Sequence, residues 1–131
     1  TYRLYDWDRV DENGMGRELH LKNAMEAIDF EVYEQYKTEY SRKLNESTQI
    51  ANSPHFTTQL LHLNNGVQKD YRELDSFVIL LAVEGQFNYT DNLGNLGYIK
   101  TGESLLIPAI QDHINILPKG ECKILEVYIL A

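Results

Sequence analysis

The C-terminal part of the chain, from about Gln49 onward, has the hydrophobic pattern of a β-domain. Short apolar runs alternate with the turn sequences NNG, EG, DNLGN, KTGE and PKG, whose Gly, Asn and Pro residues favour hairpins. The predicted strands are TQIA, HFTTQLLHL, SFVILLAV, QFNYT, LGYIK, SLLIPA, HINIL and KILEVYIL. About eight strands at regular spacing, with no helix between them, predict an antiparallel sandwich or barrel.

The first residues have a different pattern, which predicts an N-terminal strand followed by one helix. Alternation over residues 1–9 would place Arg3 on an aromatic and cationic face with Tyr5, Trp7 and Arg9, and DENGMG would then form a turn. After the turn, apolar residues recur at positions i, i+3, i+4 and i+7 and predict an amphipathic helix of about three turns. These apolar residues are Leu21, Ala24, Met25 and Ile28.

The segment of residues 31–47, EVYEQYKTEYSRKLNES, connects this helix to the predicted β-domain. Its tyrosines could mark one face of a helix, but its many charged residues also suit a chain that runs extended over a surface. We expect an extended connector. The chain is therefore predicted to comprise an interdomain region of strand, helix and connector over residues 1–47, and a C-terminal barrel over residues 48–131.

The composition narrows the possible functions. A chain of 131 residues suits a single hydrophobic core, and its net charge of −8 disfavours nucleic-acid binding. The longest apolar run, FVILLAV, is too short to span a bilayer, and no signal peptide is indicated. Cys122 is the only cysteine, which excludes an intrachain disulfide and a thiolate metal cluster and suits a cytoplasmic protein.

The four histidines lack the spacing of a metal site, which commonly uses positions i, i+2 on a strand or i, i+4 on a helix. They are His20, His55, His62 and His113. His20 lies at the helix entrance, where hydrogen bonding to the local backbone is the ordinary role. We expect no metal site built wholly within this chain, and the sequence selects no carboxylate pair, phosphate-binding loop or Ser-His-Asp set.

Arg3 is the strongest candidate for a functional residue. A guanidinium group is always charged and presents a planar fork of donors, which suits a phosphate or a developing oxyanion. Neighbouring aromatic side chains suit the apolar faces of a sugar ring. The competing interpretation is that Arg3 pairs with an acidic residue or stacks on Tyr5.

The predicted barrel resembles the second half of a cupin domain. In the second cupin motif, Gly, five residues and Pro are followed by a nearby His and Asn, and GESLLIPAIQDHINI contains Gly102, Pro108, His113 and Asn115 in that order. The first cupin motif carries two histidines and a glutamate before its closing Gly, whereas YRELDSFVILLAVEG has no histidine. The resemblance implies a mainly β, antiparallel jelly-roll barrel without metal ligands.

The N-terminal part sharpens this resemblance. The stretches YRLYDWDRV, RELHL and SPHFT have the order and spacing found in the C-terminal region of bacterial type I mannose-6-phosphate isomerases, and the resemblance covers essentially the whole chain. Enzymes of this family interconvert mannose 6-phosphate and fructose 6-phosphate and bind zinc in an N-terminal cupin through Gln, His, Glu and His. The resemblance implies that Arg3 is the family's catalytic arginine and that the zinc ligands and a Ser-Asp pair lie before Thr1.

Our leading hypothesis is therefore a C-terminal fragment of such an isomerase, inactive by itself, that packs against its own N-terminal catalytic domain. Aldose–ketose isomerisation passes through an enediolate and requires a base, a polarising group and a cation near the developing charge. Of these, only the cation could come from this chain, and Arg3 could hold either the enediolate or the phosphate of the sugar phosphate substrate.

Two other hypotheses remain open. One is a stand-alone, non-catalytic cupin domain that binds a sugar or sugar phosphate in a polar, open barrel interior. The other is a structural or dimerising module, which predicts an interior filled by Phe, Leu and Ile side chains and an exposed apolar patch where a partner docks.

Overall fold

A computed structural model describes residues 1–130 and divides the chain into two compact units. The first unit comprises Thr1–Tyr36 and the second begins at Lys37. The division predicted between residues 47 and 48 remains a prediction of domain organisation. Within residues 1–130, no helix combines the length and the apolar character needed to cross a membrane.

The first unit contains one short helix, α1, which spans Leu21–Ala27. It has seven residues rather than the expected three turns, because Ile28 adopts an extended conformation with ψ of 127° and ends the helix. Ala24 is buried, whereas Leu21 and Met25 are more than half exposed. The predicted helix is thus confirmed, but most of its apolar stripe faces solvent in this chain.

The N-terminal strand predicted for residues 1–9 does not form. Trp7 and Asp8 adopt left-handed backbone conformations, with φ of 50° and 52°, and the Arg9 N–H donates to the Asp6 carbonyl at 3.1 Å. A strand cannot continue through two successive left-handed residues, so the alternation of side chains has no structural counterpart there. The chain instead forms a turn, followed by a single antiparallel bridge between Val10 and Gly16.

The second unit consists of nine strands that form two antiparallel sheets. Their bounds are β1 Ser47–Asn52, β2 Thr57–Leu63, β3 Val67–Asp70, β4 Val78–Glu84, β5 Gln86–Asp91, β6 Leu96–Lys100, β7 Ser104–Ile107, β8 His113–Pro118 and β9 Cys122–Tyr128. One sheet has the order β1-β2-β9-β4-β7 and the other has the order β3-β8-β5-β6. The predicted antiparallel β-domain is confirmed, and we call the two sheets together the barrel.

The connector agrees with its prediction, whereas one strand was not predicted. The connector has no regular helix or strand from residue 31 to residue 46, as expected. Strand β3 was not predicted, because its sequence VQKD is mostly polar. It forms because it pairs with β8 in a register that places Val67 opposite Ile116 and Asp70 opposite His113.

The interior of the barrel is apolar along most of its length. Side chains from both sheets meet in one buried cluster, whose largest fully buried hydrophobic members are Leu61, Leu63, Leu80, Phe87, Ile114, Ile116 and Ile124. In β9 the inward-facing positions are Cys122, Ile124 and Glu126, which are all fully buried. The interior therefore changes from apolar to polar toward the end where β9 finishes.

Candidate functional site

Arg3 is fixed to the start of α1 through its backbone. Its N–H donates to Nδ1 of His20 at 3.1 Å, and its carbonyl accepts from the His20 N–H at 2.8 Å. The first of these bonds requires an unprotonated Nδ1, so the neutral imidazole carries its proton on Nε2. The local backbone role expected for His20 is confirmed.

The guanidinium of Arg3 is only partly used by neighbouring groups. Nη1 donates to the Glu18 carbonyl at 2.8 Å, while Nε lies 4.0 Å from Oδ1 of Asp6. A guanidinium has five N–H donors, so most of the fork remains available for another group. The side chain is 29% exposed, which places it within reach of a ligand.

Asp6 is bound more closely by Arg17 than by Arg3. Nε of Arg17 donates to Oδ2 of Asp6 at 2.7 Å, and a second Arg17 nitrogen makes a short contact with Oδ1. This bidentate pairing holds the pKa of Asp6 below its usual range, chiefly through the hydrogen bond from Arg17, and raises the pKa of Arg17. Arg17 occupies both carboxylate oxygens, and Arg3 forms a longer ion pair with Asp6, so the interpretation that Arg3 pairs with an acidic residue stays open beside the functional one.

Arg3 lines an open cleft of about 520 Å³ in the first unit. The cleft also contains aromatic side chains of Tyr2, Tyr5 and Trp7, with the rings of the last two 5.7 Å apart. A cation beside aromatic rings can bind an anionic group together with an apolar surface, as the sequence pattern predicts. The cleft thus combines an arginine side chain with an aromatic surface.

The first unit exposes an unusual amount of apolar surface. Ala24 is the one hydrophobic residue that is buried among residues 1–36. Trp7 is 73% exposed, Phe30 is 67% exposed and Val32 is 90% exposed. Exposed apolar patches of this kind mark surfaces that contact another protein region.

The residues of the second cupin motif are placed along β6, β7 and β8, but they do not converge inside the barrel. Gly102 forms the turn between β6 and β7 with φ of 87°, and Pro108 follows β7. His113 and Asn115 share the outward register of β8, because the alternate residues Ile114 and Ile116 are the buried ones. Oδ1 of Asn115 accepts a hydrogen bond from Gln68 at 3.1 Å.

The described residues do not fit a metal centre. Within residues 1–130, no three His, Cys, Asp or Glu side chains come close enough together to hold an ion. His62 lies beside Glu121 near the ion pair of Glu84 and Lys123, and His55 precedes β2 rather than belonging to it. The chain's own residues therefore offer no position for the zinc that the family resemblance implies.

Glu126 forms a second polar cluster, at one end of the barrel. Its carboxylate accepts a hydrogen bond from the Tyr71 hydroxyl at 2.6 Å and one from Nζ of Lys69 at 2.9 Å. Nζ of Lys69 also donates to Oγ of Ser47 at 2.7 Å. The cluster links β3 in one sheet with β1 and β9 in the other.

The cluster lines a cleft of about 220 Å³, which we call the Glu126 cleft. Its lining residues are Gln59, Lys69, Asp70, Tyr71, Glu73, Leu74, Glu126, Tyr128 and Leu130. Burial and the nearby charge of Glu126 raise the pKa of Tyr71, so its hydroxyl remains a neutral donor. Sequence reasoning missed this site, because KILEVYIL is apolar on both faces of the strand and does not mark Glu126 as inward-facing.

Comparisons with known proteins relate this chain to one enzyme family. YvyI of Bacillus subtilis strain 168, a provisionally named mannose-6-phosphate isomerase, is 30% identical over 98% of this chain and 40% of its own length. The mannose-6-phosphate isomerase ManA of the same organism is 28% identical over 82% of this chain and 34% of its own length. No protein-family model matches the chain.

Solved structures support the same relationship. The mannose-6-phosphate isomerase of Bacillus subtilis superposes with a TM-score of 0.70 and 25% identity over 98% of this chain, which corresponds to 40% of that structure. A cupin superfamily protein from Desulfitobacterium hafniense superposes with a TM-score of 0.54 over 76% of this chain, and at 19% identity it bears on the fold alone. The predicted cupin-type fold and the family resemblance are confirmed. The chain spans less than half the length of these isomerases.

Proposed function

Because this chain is a homologue of the mannose-6-phosphate isomerases over 98% of its length, we propose that it is the C-terminal portion of such an enzyme. The parent enzyme would interconvert mannose 6-phosphate and fructose 6-phosphate. The observation that carries the proposal is the match of 98% of this chain to isomerases that are more than twice as long. In this proposal the chain supplies one catalytic side chain and a structural barrel.

Arg3 is the residue that would act in the reaction. Moving a proton between C1 and C2 of the sugar develops negative charge on the oxygens of an enediolate, and the phosphate adds a permanent negative charge. The fork of Arg3 has donors left over after its bond to Glu18, and its neighbour Asp6 is already neutralised by Arg17. This arrangement supports a role in which Arg3 stabilises one of these anionic groups.

Zinc and the base of the reaction would belong to the part of the parent enzyme that this chain does not match. Within residues 1–130 there is no group of three potential metal ligands, so a zinc site would have to come from elsewhere. We therefore expect the isolated chain to have no isomerase activity. The exposed apolar surface of the first unit supports a further expectation, which is that this unit contacts the parent's N-terminal catalytic domain.

The deciding experiment is an isomerase assay, with zinc added, on this chain and on its longer parent. The parent should convert mannose 6-phosphate to fructose 6-phosphate, and this chain should not. Turnover by this chain at the parent's rate would refute the proposed division of labour. A parent without isomerase activity on either sugar phosphate would refute the assignment of function.

The role of Arg3 is tested in the same parent by Arg3→Gln, with Arg9→Gln as the matched control. Arg9 is exposed and lies outside the residues that line the Arg3 cleft. Loss of a cation that stabilises a developing oxyanion costs about 10²–10³ in kcat, so Arg3→Gln should lower kcat by this order. Arg9→Gln should change kcat less than about twofold. Equal effects of the two variants would show that Arg3 has no special role.

The hypothesis of a stand-alone domain that binds a sugar phosphate has weaker support. Side chains of Phe87, Leu80 and Ile124 fill the middle of the barrel and leave no open polar interior there. A polar recess, the Glu126 cleft, lies at one end of the barrel, and a separate open cleft of about 730 Å³ lies along the strands of the β3-β8-β5-β6 sheet. The charge of the Glu126 cleft does not favour a phosphate, as argued below.

A further inference from the structure

We propose that the Glu126 cleft binds a small, uncharged, polyhydroxylated molecule, such as one sugar ring or a linear polyol. This binding site goes beyond the proposed isomerase function and does not depend on it. All of its residues lie in the second unit, whereas Arg3 and its cleft lie in the first.

The size of the cleft suits a single sugar ring. Its volume of about 220 Å³ corresponds to roughly seven water molecules at about 30 Å³ each. A nucleotide or a peptide of several residues would need more space. Glu126 and Tyr71 are both more than nine-tenths buried, so the polar groups lie at the bottom of a recess rather than on an open surface.

The polar groups retain both donors and acceptors for a ligand. Nζ of Lys69 has three N–H donors and uses two of them, on Ser47 and on Glu126. Tyr128 accepts a hydrogen bond from Nε2 of Gln59 at 2.7 Å, which leaves the Tyr128 O–H free to donate. Each carboxylate oxygen of Glu126 accepts one bond and has a second lone pair. A sugar hydroxyl both donates and accepts, so this mixture of groups matches it.

The cleft also offers an apolar wall. Leu74 and the ring of Tyr128 line it beside the polar cluster. A sugar ring has C–H faces between its hydroxyl groups and can contact an aliphatic or aromatic side chain with one of them. Binding sites for small molecules typically combine such apolar contacts with a few fixed polar groups.

The charge of the cleft disfavours a phosphorylated ligand. Its lining contains three carboxylates, those of Asp70, Glu73 and Glu126, and the single cation of Lys69. Glu126 is paired with Lys69 at 2.9 Å. Asp70 is paired with Arg72, which lies outside the lining, so Glu73 supplies the remaining negative charge. A phosphate would meet this negative charge and find no unpaired cation in the lining, whereas a neutral ligand needs none.

The polar groups are held in place before any ligand binds. Hydrogen bonds connect Ser47 on β1, Lys69 on β3 and Glu126 on β9, so three strands fix the geometry. Apolar residues of similar volume often stabilise a protein at least as well as a buried ion pair does. Donors and acceptors that are already fixed reduce the entropic cost of binding a ligand. The ion pair of Lys69 and Glu126 would therefore serve ligand recognition.

Calorimetric and NMR titrations of this chain with mannose, fructose, sorbitol and the two 6-phosphates test the proposal. At least one neutral compound should bind in the millimolar range and shift the amide signals of Gln59, Lys69 and Tyr128. The 6-phosphates should bind about tenfold more weakly. Absence of binding by all three neutral compounds, or tighter binding of the phosphates, would overturn the proposal.

Two variants and two matched controls locate the binding site. Tyr128→Phe removes a free donor and Gln59→Met removes an amide, and each should weaken binding about fivefold, the effect of roughly one hydrogen bond. Tyr98→Phe and Gln68→Met make the same chemical changes on the other sheet, outside the cleft, and should leave affinity unchanged. Equal affinities of all four variants would overturn the assignment. Isomerase activity of the parent is a separate measurement, so failure here leaves the proposed function standing.

Discussion

At the scale of single residues, both units place a carboxylate against a cation from a distant part of the chain. In the first unit Asp6 receives the fork of Arg17, and in the barrel Glu126 receives the ammonium group of Lys69. The consequences differ, because the first pair leaves the fork of Arg3 available while the second fixes the geometry of a recess.

The pairing of Asp6 with Arg17 predicts a measurable change in the pKa of Asp6. Replacing Arg17 by Gln should raise that pKa toward its ordinary value of 3.8. In the native chain, the lowered pKa means that the stabilisation from charged Asp6 is present above pH 3.8 and is lost as the pH falls through the lowered value. Carboxyl NMR titrations of the native chain and of Arg17→Gln measure the shift directly.

The control for this titration is Arg9→Gln. Of the three arginines that lower the pKa of Asp6, Arg9 has the smallest effect. It should move the pKa much less than Arg17→Gln does. A larger effect from Arg9 would show that long-range charge, rather than the bidentate hydrogen bonds, sets the ionisation of Asp6.

A second residue-scale prediction concerns the stability of the barrel. Glu126→Gln keeps an oxygen that can accept from Tyr71 but removes the negative charge opposite Lys69, and the free energy of unfolding should fall by about 1–3 kcal/mol. Urea denaturation measures this change. The control Glu121→Gln removes a carboxylate that is 62% exposed beside His62, and it should cost less than about 1 kcal/mol. A Glu126→Gln barrel as stable as the native one would show that Lys69 finds another partner.

Single residues were only partly predictable from the sequence. Arg3 could be selected, because a cation in an aromatic context is unusual and because the family resemblance points to it. Glu126 could not, since KILEVYIL is apolar on both faces of the strand, with Leu125 and Val127 on one side and Ile124 on the other. The alternation therefore did not reveal which face is inside, and the inward position of Glu126 depends on pairing with β2 and β4.

At the scale of elements, tertiary pairing decided the two cases in which the local pattern failed. The alternation of residues 1–9 favoured a strand, yet no neighbouring strand pairs with it and a turn at Trp7 and Asp8 interrupts it. The sequence VQKD favoured no strand, yet β3 pairs along its whole length with β8. Apart from β1, the strands predicted correctly are those whose apolar residues enter the core, where burial and local propensity agree.

The turn between β4 and β5 gives the element-scale prediction. Gly85 has φ of 73°, and a Cβ atom there would lie 2.4 Å from the carbonyl oxygen of Glu121. Gly102 has φ of 87° but has open space where its Cβ would be. Gly102→Ala should therefore lower the free energy of unfolding only by the penalty of a left-handed alanine, about 1–2 kcal/mol. Gly85→Ala must also displace the backbone at Glu121, so it should lower the free energy of unfolding clearly more. Urea denaturation of both variants ranks them, and equal losses would show that the β4–β5 turn relaxes without cost.

At the scale of the whole molecule, the two units differ in how much of their stability can come from their own core. The barrel buries a cluster contributed by both sheets, whereas residues 1–36 bury a single hydrophobic side chain, Ala24. The hydrophobic pattern predicted the barrel, because period-two alternation reports burial within the same domain. The same pattern predicted α1 but not its exposure, since an amphipathic stripe does not identify the surface that would cover it.

Cys122 provides a probe of cooperative opening of the whole barrel. It is the chain's single cysteine, it is fully buried opposite Leu63, and burial raises its pKa to about 11. Because the thiolate is the reactive form, a thiol reagent at pH 8 should label the folded chain slowly and the urea-unfolded chain rapidly. Labelling in water then requires opening of strands β2, β4 and β9, and its rate should rise with urea in parallel with global unfolding.

The Gly85→Ala variant makes this labelling experiment specific. A Cβ at Gly85 would lie 3.0 Å from the Cα and Cβ atoms of Cys122, so the substitution disturbs the packing immediately around the thiol. Labelling should accelerate strongly in Gly85→Ala and only modestly in Gly102→Ala, where the added Cβ atom meets nothing within 4 Å. The raised pKa also predicts that stability contributed by the neutral thiol is complete below pH 9.0 and is lost as the pH rises toward about 11. Rapid labelling of the native chain at pH 8, independent of urea, would mean that the end of the barrel around β9 opens locally rather than with the whole fold.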